Sequence, residues 1–175
     1  MGLRTSSLLV LLTWQLLEAA NLVGSGPFAH AVENREAKAV RQVVRVVDGD
    51  TIVLSSGEKV RLIGVDSPET VHPKKTVECY GEEAKEFTRS TVAGQKVRLV
   101  LDDANSVRRH KDRYGRILGY VYLQSGLMLN AELIRRGFAH AYTLSPFRYL
   151  IEFYRLEQEA RSRGVGLWSS CPASY

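Results

Sequence analysis

The sequence predicts an α+β domain, a small five-stranded β-barrel carrying three helices. Two observations predict it. Five short runs rich in Val, Ile and Leu are separated by glycine-containing turns or polar stretches. A segment with helical spacing falls between the third run and the fourth. Strands and helices in that order match the layout of an OB-fold, a closed or partly open barrel that often binds oligonucleotides.

The first three strands are expected at Arg41–Val47, Thr51–Ser55 and Glu58–Val65. Asp48-Gly49-Asp50 and Ser56-Gly57 separate them, and both read as hairpin turns because glycine accepts a positive φ. The three strands therefore form an antiparallel meander. Helical spacing follows, with Tyr80, Ala84, Phe87, Thr88 and Thr91 on one face and Gly94 as the stop. Two further strands are expected at Lys96–Asp102 and Arg116–Leu123. A Ser125-Gly126 turn leads into a second helix over Asn130–Arg136, ended by Gly137. The last helix covers Arg148–Arg163, with Leu150, Ile151 and Tyr154 turned inward, Phe153 as a further inward candidate, and Gly164 just beyond. The domain so defined spans residues 40–170, followed by a tail at 171–175.

The N-terminus reads differently. Arg4 precedes the apolar run Leu8–Leu17, and small residues follow at Ala19-Ala20 and Val23–Gly26. A positive start, a short apolar core and a small-residue region are the order of a secretory signal, so residues 1–25 are expected to direct export. The run has about half the length that crosses a bilayer as a helix. Residues 26–39 are small, polar and mixed in charge, a flexible lead-in.

The chain of 175 residues carries 24 Lys and Arg against 19 Asp and Glu, a net charge of +5. Arg4 and Glu18 are the charged residues of the first 25, so the mature domain keeps this balance. A basic balance favours an anionic partner such as nucleic acid. Two cysteines are too few for a disulfide scaffold or a cysteine-rich zinc module. No Gly-rich phosphate loop or Gly-x-Ser-x-Gly elbow is present.

Three short segments carry acids or bases that chemistry could use. Asp48-Gly49-Asp50-Thr51 puts two carboxylates in one turn, and taken alone it is an ordinary hairpin. Asp66-Ser67-Pro68-Glu69 ends the third strand with two more acids, and taken alone it is also a helix start. Lys111–Arg116 is a basic, aromatic turn, or simply a solvated loop. Arg61 interrupts an apolar strand, where it either reaches solvent or faces a cleft. Together these residues outline phosphodiester chemistry. Aspartate oxygens suit a hard divalent cation, a glutamate can take a proton from water, and two arginines can clamp a phosphate bidentately.

The motifs Val46-Val47-Asp48-Gly49-Asp50-Thr51, Arg61-Leu62-Ile63-Gly64-Val65-Asp66-Ser67-Pro68-Glu69, Tyr80-Gly81-Glu82-Glu83-Ala84 and Asp112-Arg113-Tyr114-Gly115-Arg116 resemble the thermonuclease (staphylococcal nuclease-like) family. The likeness runs in order from Val43 to the Gly164–Trp168 tail and so covers the whole domain. It implies an OB barrel with three helices and a Ca²⁺-dependent hydrolase of DNA and RNA that leaves 3′-phosphate ends. By the same resemblance, Asp50, Asp66 and the Ser67 carbonyl would ligate calcium. Arg61 and Arg116 would contact the scissile phosphate, and Glu69 would position or deprotonate the attacking water. Asp48 would be an acid near the metal but outside its ligands. Arg113, Tyr114 and Tyr142 would contact the nucleotide, beside a basic loop with Lys74 and Lys75. His72 and His140 read as loop and barrel-end residues rather than ligands.

The competing expectation is an OB module that binds nucleic acid without cutting it. Such a module has no use for Asp50, Arg61, Asp66, Glu69 and Arg116 together, and all five are present. A membrane-surface protein is a weaker fit, because the basic residues do not gather on one amphipathic helix. The enzyme is expected to act as a monomer. Export would place Cys79 and Cys171 where an even pair becomes a disulfide. A loop of that size would gain on the order of 4–5 kcal/mol by chain-entropy arithmetic and would tie down the chain end.

Overall fold

The computed structural model describes residues 40–70 and 76–172. The expected signal, the lead-in, His72, Lys74, Lys75 and the last three residues of the tail lie outside the described residues.

Five strands close a barrel in the order β1-β2-β3-β6-β5, with β5 returning to β1. They are β1 (Val40–Asp48), β2 (Thr51–Leu54), β3 (Lys59–Leu62), β5 (Lys96–Leu101) and β6 (Ile117–Tyr122). The pairing is antiparallel except between β3 and β6, which run parallel with Arg61 opposite Leu118. This parallel seam brings the turn before β6 alongside β3. The expected third strand is divided: β3 ends at Leu62, the chain turns at Ile63-Gly64, and β4 (Val65–Asp66) pairs with β7 (His140–Ala141) in a separate two-stranded sheet. Gly64 takes φ 74°, and a Cβ there would meet Phe147 at 2.6 Å, so both the turn and its packing require glycine. Asn130, fully buried, closes the backbone opened by this turn. Its amide donates to the Ile63 and Gly119 carbonyls, and its oxygen accepts from Val121 N.

Helix α1 (Gly81–Val92) lies between β4 and β5, α2 (Leu129–Arg135) follows β6, and α3 (Leu150–Ser162) follows β7. A 3₁₀ turn at Asp103–Arg108 and a short α4 (Leu167–Ser170) add to the expected elements. Both are too short to show a period in sequence. The core is built from Ile52, Leu54, Leu62, Tyr120, Leu133 and Phe153, all at most 1% exposed, each worth roughly 1.5–3 kcal/mol on burial.

Two details of the sequence reading are corrected. In α3 the buried face is Phe153, Leu156, Glu157 and Ala160, while Ile151 and Tyr154 are 57% and 51% exposed. The apolar residues at both phases made the face ambiguous. Packing is settled by Phe153, which meets Tyr120, Phe147 and Tyr149 edge-on, tilted or stacked. The second detail is Gly49, which has no positive φ, unlike Gly57 at 84°. It is needed for proximity instead: a Cβ there would lie 2.7 Å from Ser67 Cβ and 3.0 Å from Ala84 Cβ.

Cys79, just before α1, is bonded to Cys171 after α4, across 92 positions of sequence. No helix among the described residues is long and apolar enough to cross a membrane.

Candidate active site

The close approach at Gly49 decides the local architecture. It lets the β1–β2 turn press against residues 66–70, so two acid-bearing segments far apart in sequence share one surface. Asp50 Oδ2 accepts from Ser67 N at 3.0 Å, and Asp50 Oδ1 accepts from Thr51 Oγ1 at 2.9 Å. Asp48 accepts from Gly49 N and Thr70 Oγ1, each at 3.0 Å, and from Thr70 N at 3.4 Å. The two turns are thus stitched by carboxylates, with Asp48 and Asp50 each only 6% exposed.

Arg61 enters from β3, where it pairs in register with Thr51. Its guanidinium is ion-paired with Asp50 and, at 3.0 Å, with Asp66 Oδ1. One cation therefore draws both aspartates to a common point. Burial lowers the pKa of Arg61, and the neighbouring Arg116 adds to this while Asp66 opposes it. Arg116 comes from the turn before β6. Its Nε donates to Asp112 Oδ2 at 2.6 Å, and its Nη1 reaches Thr51 Oγ1 at 3.4 Å. Asp112 Oδ1 meanwhile accepts from the backbone of Tyr114 and Arg116. Burial pushes the Asp112 carboxyl up, but these hydrogen bonds outweigh it and hold the group below its ordinary value.

Asp50, Arg61, Asp66, Ser67, Glu69 and Arg116 line a single cleft of about 400 Å³, with Asp48 behind them and Tyr114 at its margin. Asp48 is pushed up to about 6, first by burial and then by hydrogen bonding to Glu69 and repulsion from it. Asp48 therefore keeps its proton to a higher pH than a solvated aspartate does.

A second cleft, of about 440 Å³, opens from the same arginines. It is lined by Arg113, Tyr114, Tyr142, Pro146 and Phe147, and by Asn105 and Arg108 of the 3₁₀ turn. Tyr114 is 68% exposed and lies under two guanidinium groups, 4.8 Å from Arg113 and 5.3 Å from Arg116. An exposed ring, a basic rim and a shared wall with the carboxylate cleft suit a polyanion carrying flat bases. His140 is half-buried in β7, opposite Asp66, and contacts Glu157 and Trp168.

Residues the sequence reading did not single out also shape the site. Asp112 orients Arg116, and its signal was the four-residue spacing between them across a glycine turn. Glu78 accepts from Glu69 N across nine positions, and Thr70 donates to Asp48 across 22; neither spacing follows a helix or hairpin period that the sequence would show. Asn105 and Arg108 sit on a turn that no periodicity announced.

Among the described residues no three His, Cys, Asp or Glu side chains are grouped to hold a metal by themselves. The donors that converge are carboxylate oxygens, already drawn together by a positive charge, with backbone carbonyls and solvent to complete a shell. That set fits a hard, oxygen-seeking cation and offers no thiolate or imidazole for zinc.

Residues 59–170 match the family described as staphylococcal nuclease homologue. The chain is 36% identical over 170 residues to a thermonuclease of Staphylococcus hyicus, covering 95% of this chain and 97% of that one. It is 40% identical over 151 residues to a thermonuclease of Staphylococcus intermedius, covering 83% and 84%. With the endonuclease YncB of Bacillus subtilis it shares 39% identity over 130 residues, covering 71% of this chain and 59% of the relative.

Proposed function

The chain belongs to the staphylococcal nuclease family, and from that premise we propose that it is an exported, calcium-dependent monomeric enzyme that cuts DNA and RNA with little sequence preference. It is a nuclease, a hydrolase of phosphodiesters. The observation that carries the finer reading is the common cleft of Asp50, Arg61, Asp66, Glu69 and Arg116. A module that only binds nucleic acid gains nothing from burying Asp50 against Arg61, which costs desolvation, and drawing Asp66 to the same guanidinium.

Asp50, Asp66 and the Ser67 carbonyl would hold Ca²⁺, which when bound draws electron density from a phosphate oxygen. Arg61 and Arg116 bind the non-bridging oxygens and gain as their charge grows toward the transition state. Glu69 takes a proton from water as the water oxygen bonds to phosphorus. The P–O5′ bond then breaks, leaving a 3′-phosphate, and the departing oxygen takes a proton from solvent. Asp112 holds the Arg116 guanidinium through Nε, and Nη1 reaches Thr51 Oγ1, which together turn the group toward the cleft where phosphate binds. Tyr114, Arg113 and Tyr142 support the neighbouring nucleotide, with Lys74 and Lys75 supplying further positive charge. The apolar run at residues 8–17 supports export.

The test is incubation of the mature protein with plasmid DNA and with RNA, in calcium and in a calcium-selective chelator. Cleavage in calcium alone, with product ends that accept label only after phosphatase treatment at the 3′ side, is expected. Full activity in magnesium with chelated calcium would overturn the metal assignment, and no cleavage under any condition would overturn the enzymatic one.

A further inference from the structure

Glu69 is held through its side chain and through its backbone. Asp48 meets its carboxyl group. Its backbone is held by Glu78, through two reciprocal bonds: Glu69 N donates to Glu78 Oε2 at 3.0 Å, and Glu78 N donates to Glu69 O at 3.0 Å. This pair of bonds holds the two peptide units that flank the Glu69 Cα. The residues that follow reinforce the grip. Cys79 is cross-linked to Cys171, at the end of α4. Tyr80 takes a left-handed conformation, φ 68°, which is strained for a residue with a side chain. Gly81 then lies so close that a Cβ would sit 3.3 Å from the Glu69 and Pro68 carbonyls and 3.0 Å from Thr70 Cγ2. Three constraints in a row at residues 79–81 are more than the start of a helix needs. Gly81 seats the α1 terminus against residues 68–70, while the disulfide ties the residue beside Glu78 to the end of α4.

We infer that Glu78 is a positioning residue for Glu69, with the Cys79–Cys171 bond as its anchor; this rests on Glu69 acting as the base. A general base must stand within hydrogen-bond reach of the water it deprotonates, and a displacement of about 1 Å can cost 10²-fold. The Glu78 carboxylate contributes to that placement by accepting the Glu69 amide, a task for which an uncharged acceptor suffices. The disulfide transmits the position of the α4 end to the residue beside Glu78.

The experiment compares Glu78→Ala, Glu78→Gln and the double variant Cys79→Ser/Cys171→Ser with wild type. It reads kcat and KM on DNA in saturating calcium, and amide hydrogen exchange at Glu69 in metal-free protein. Glu78→Ala is expected to lose about 10²-fold in kcat with KM within about twofold and faster Glu69 exchange. Glu78→Gln keeps a carbonyl acceptor and is expected within about threefold of wild type on both readouts. The cysteine pair is expected to lose about tenfold in kcat and to speed Glu69 exchange, by partial loss of the same placement. Wild-type kcat and exchange in Glu78→Ala would overturn the inference. So would a Glu78→Gln as slow as Glu78→Ala, since that would make charge the operative property. Should Glu78→Ala fail to fold, the cysteine pair decides: wild-type kcat and exchange in that folded variant overturn the anchor. Absence of hydrolysis by wild type would instead overturn the enzymatic reading, and the exchange readout would still judge the contact.

Discussion

Asp102 and Asp48 are both buried, both accept three hydrogen bonds, and are put to opposite uses. Asp102 follows β5 and accepts from Ala104 N, Arg148 N and the Tyr120 hydroxyl. Its neighbours are donors and one cationic side chain, and the Tyr120 phenol beside it is pushed far above its ordinary range, by burial and by that hydrogen bond. Asp48 accepts from Gly49 and Thr70 but also faces the Glu69 carboxylate. Counting hydrogen bonds does not separate the two. The sign of the nearest charge does: donors and a cation make a structural joint, whereas a second acid keeps a proton within reach of a cleft.

Glu69→Gln should test this contrast most severely. It removes the base and the like charge together, so kcat should fall by roughly 10²–10⁴ while thermal stability holds or rises and calcium affinity changes little. Steady-state rates with a melting curve check both halves. Arg116→Lys comes next: charge is kept but the planar fork is lost, and a fall in kcat of about 10²–10³ is expected. Raising calcium should not restore it. By contrast, Asp50→Asn should regain part of its rate as calcium is raised, because its defect lies in holding the cation.

On the other side of the comparison, Asp102→Ala strands the Tyr120 hydroxyl and two backbone amides. It should cost about 3 kcal/mol of stability, near 10 °C in melting temperature for a domain of this size, with kcat per folded molecule unchanged. A rate loss larger than the folded fraction explains would erase the distinction between the two aspartates. The smallest effect concerns Glu157. Burial raises its carboxyl, but His140 and Arg161 outweigh that and hold it below its ordinary value of 4.5. A depressed value in the fold means that its contribution is present above about pH 4.5 and is lost as pH falls through the native value. Glu157→Gln should therefore be about 1 kcal/mol less stable than wild type at pH 7, and the gap should close under acid, as urea titrations at both pH values would read.

The barrel was legible because β-strand residues and glycine turns are local signals. All five of its strands begin and end within two residues of expectation except the third. That strand breaks at Gly64, whose need for glycine arises from Phe147, far along the chain. The same division holds at the site. Asp50, Arg61, Asp66, Glu69 and Arg116 stand in compact motifs and were read directly, and they line one cleft. The Cys79–Cys171 pairing was expected from the even count, but other relations that only folding creates escaped: the Glu78 grip, the Asp48–Thr70 bonds and the wall supplied by Asn105 and Arg108. Gly49 shows the limit well. Its identity was noticed, but its reason is the proximity of Ser67 and Ala84 and not the turn conformation.

The covalent tie from Cys79 to Cys171 has a bearing on survival as well as on placement. It encloses β5, β6 with Arg116, and helices α1, α2 and α3. A protease that cuts within this span, for example at the 3₁₀ turn where Val107 is 94% exposed, produces two peptides that remain one molecule. Re-closure of the severed barrel is then unimolecular, independent of dilution, and set by the effective concentration of tethered ends. On a gel such nicked protein would run whole until reductant was added, and it would go on cutting nucleic acid for as long as the bridge held.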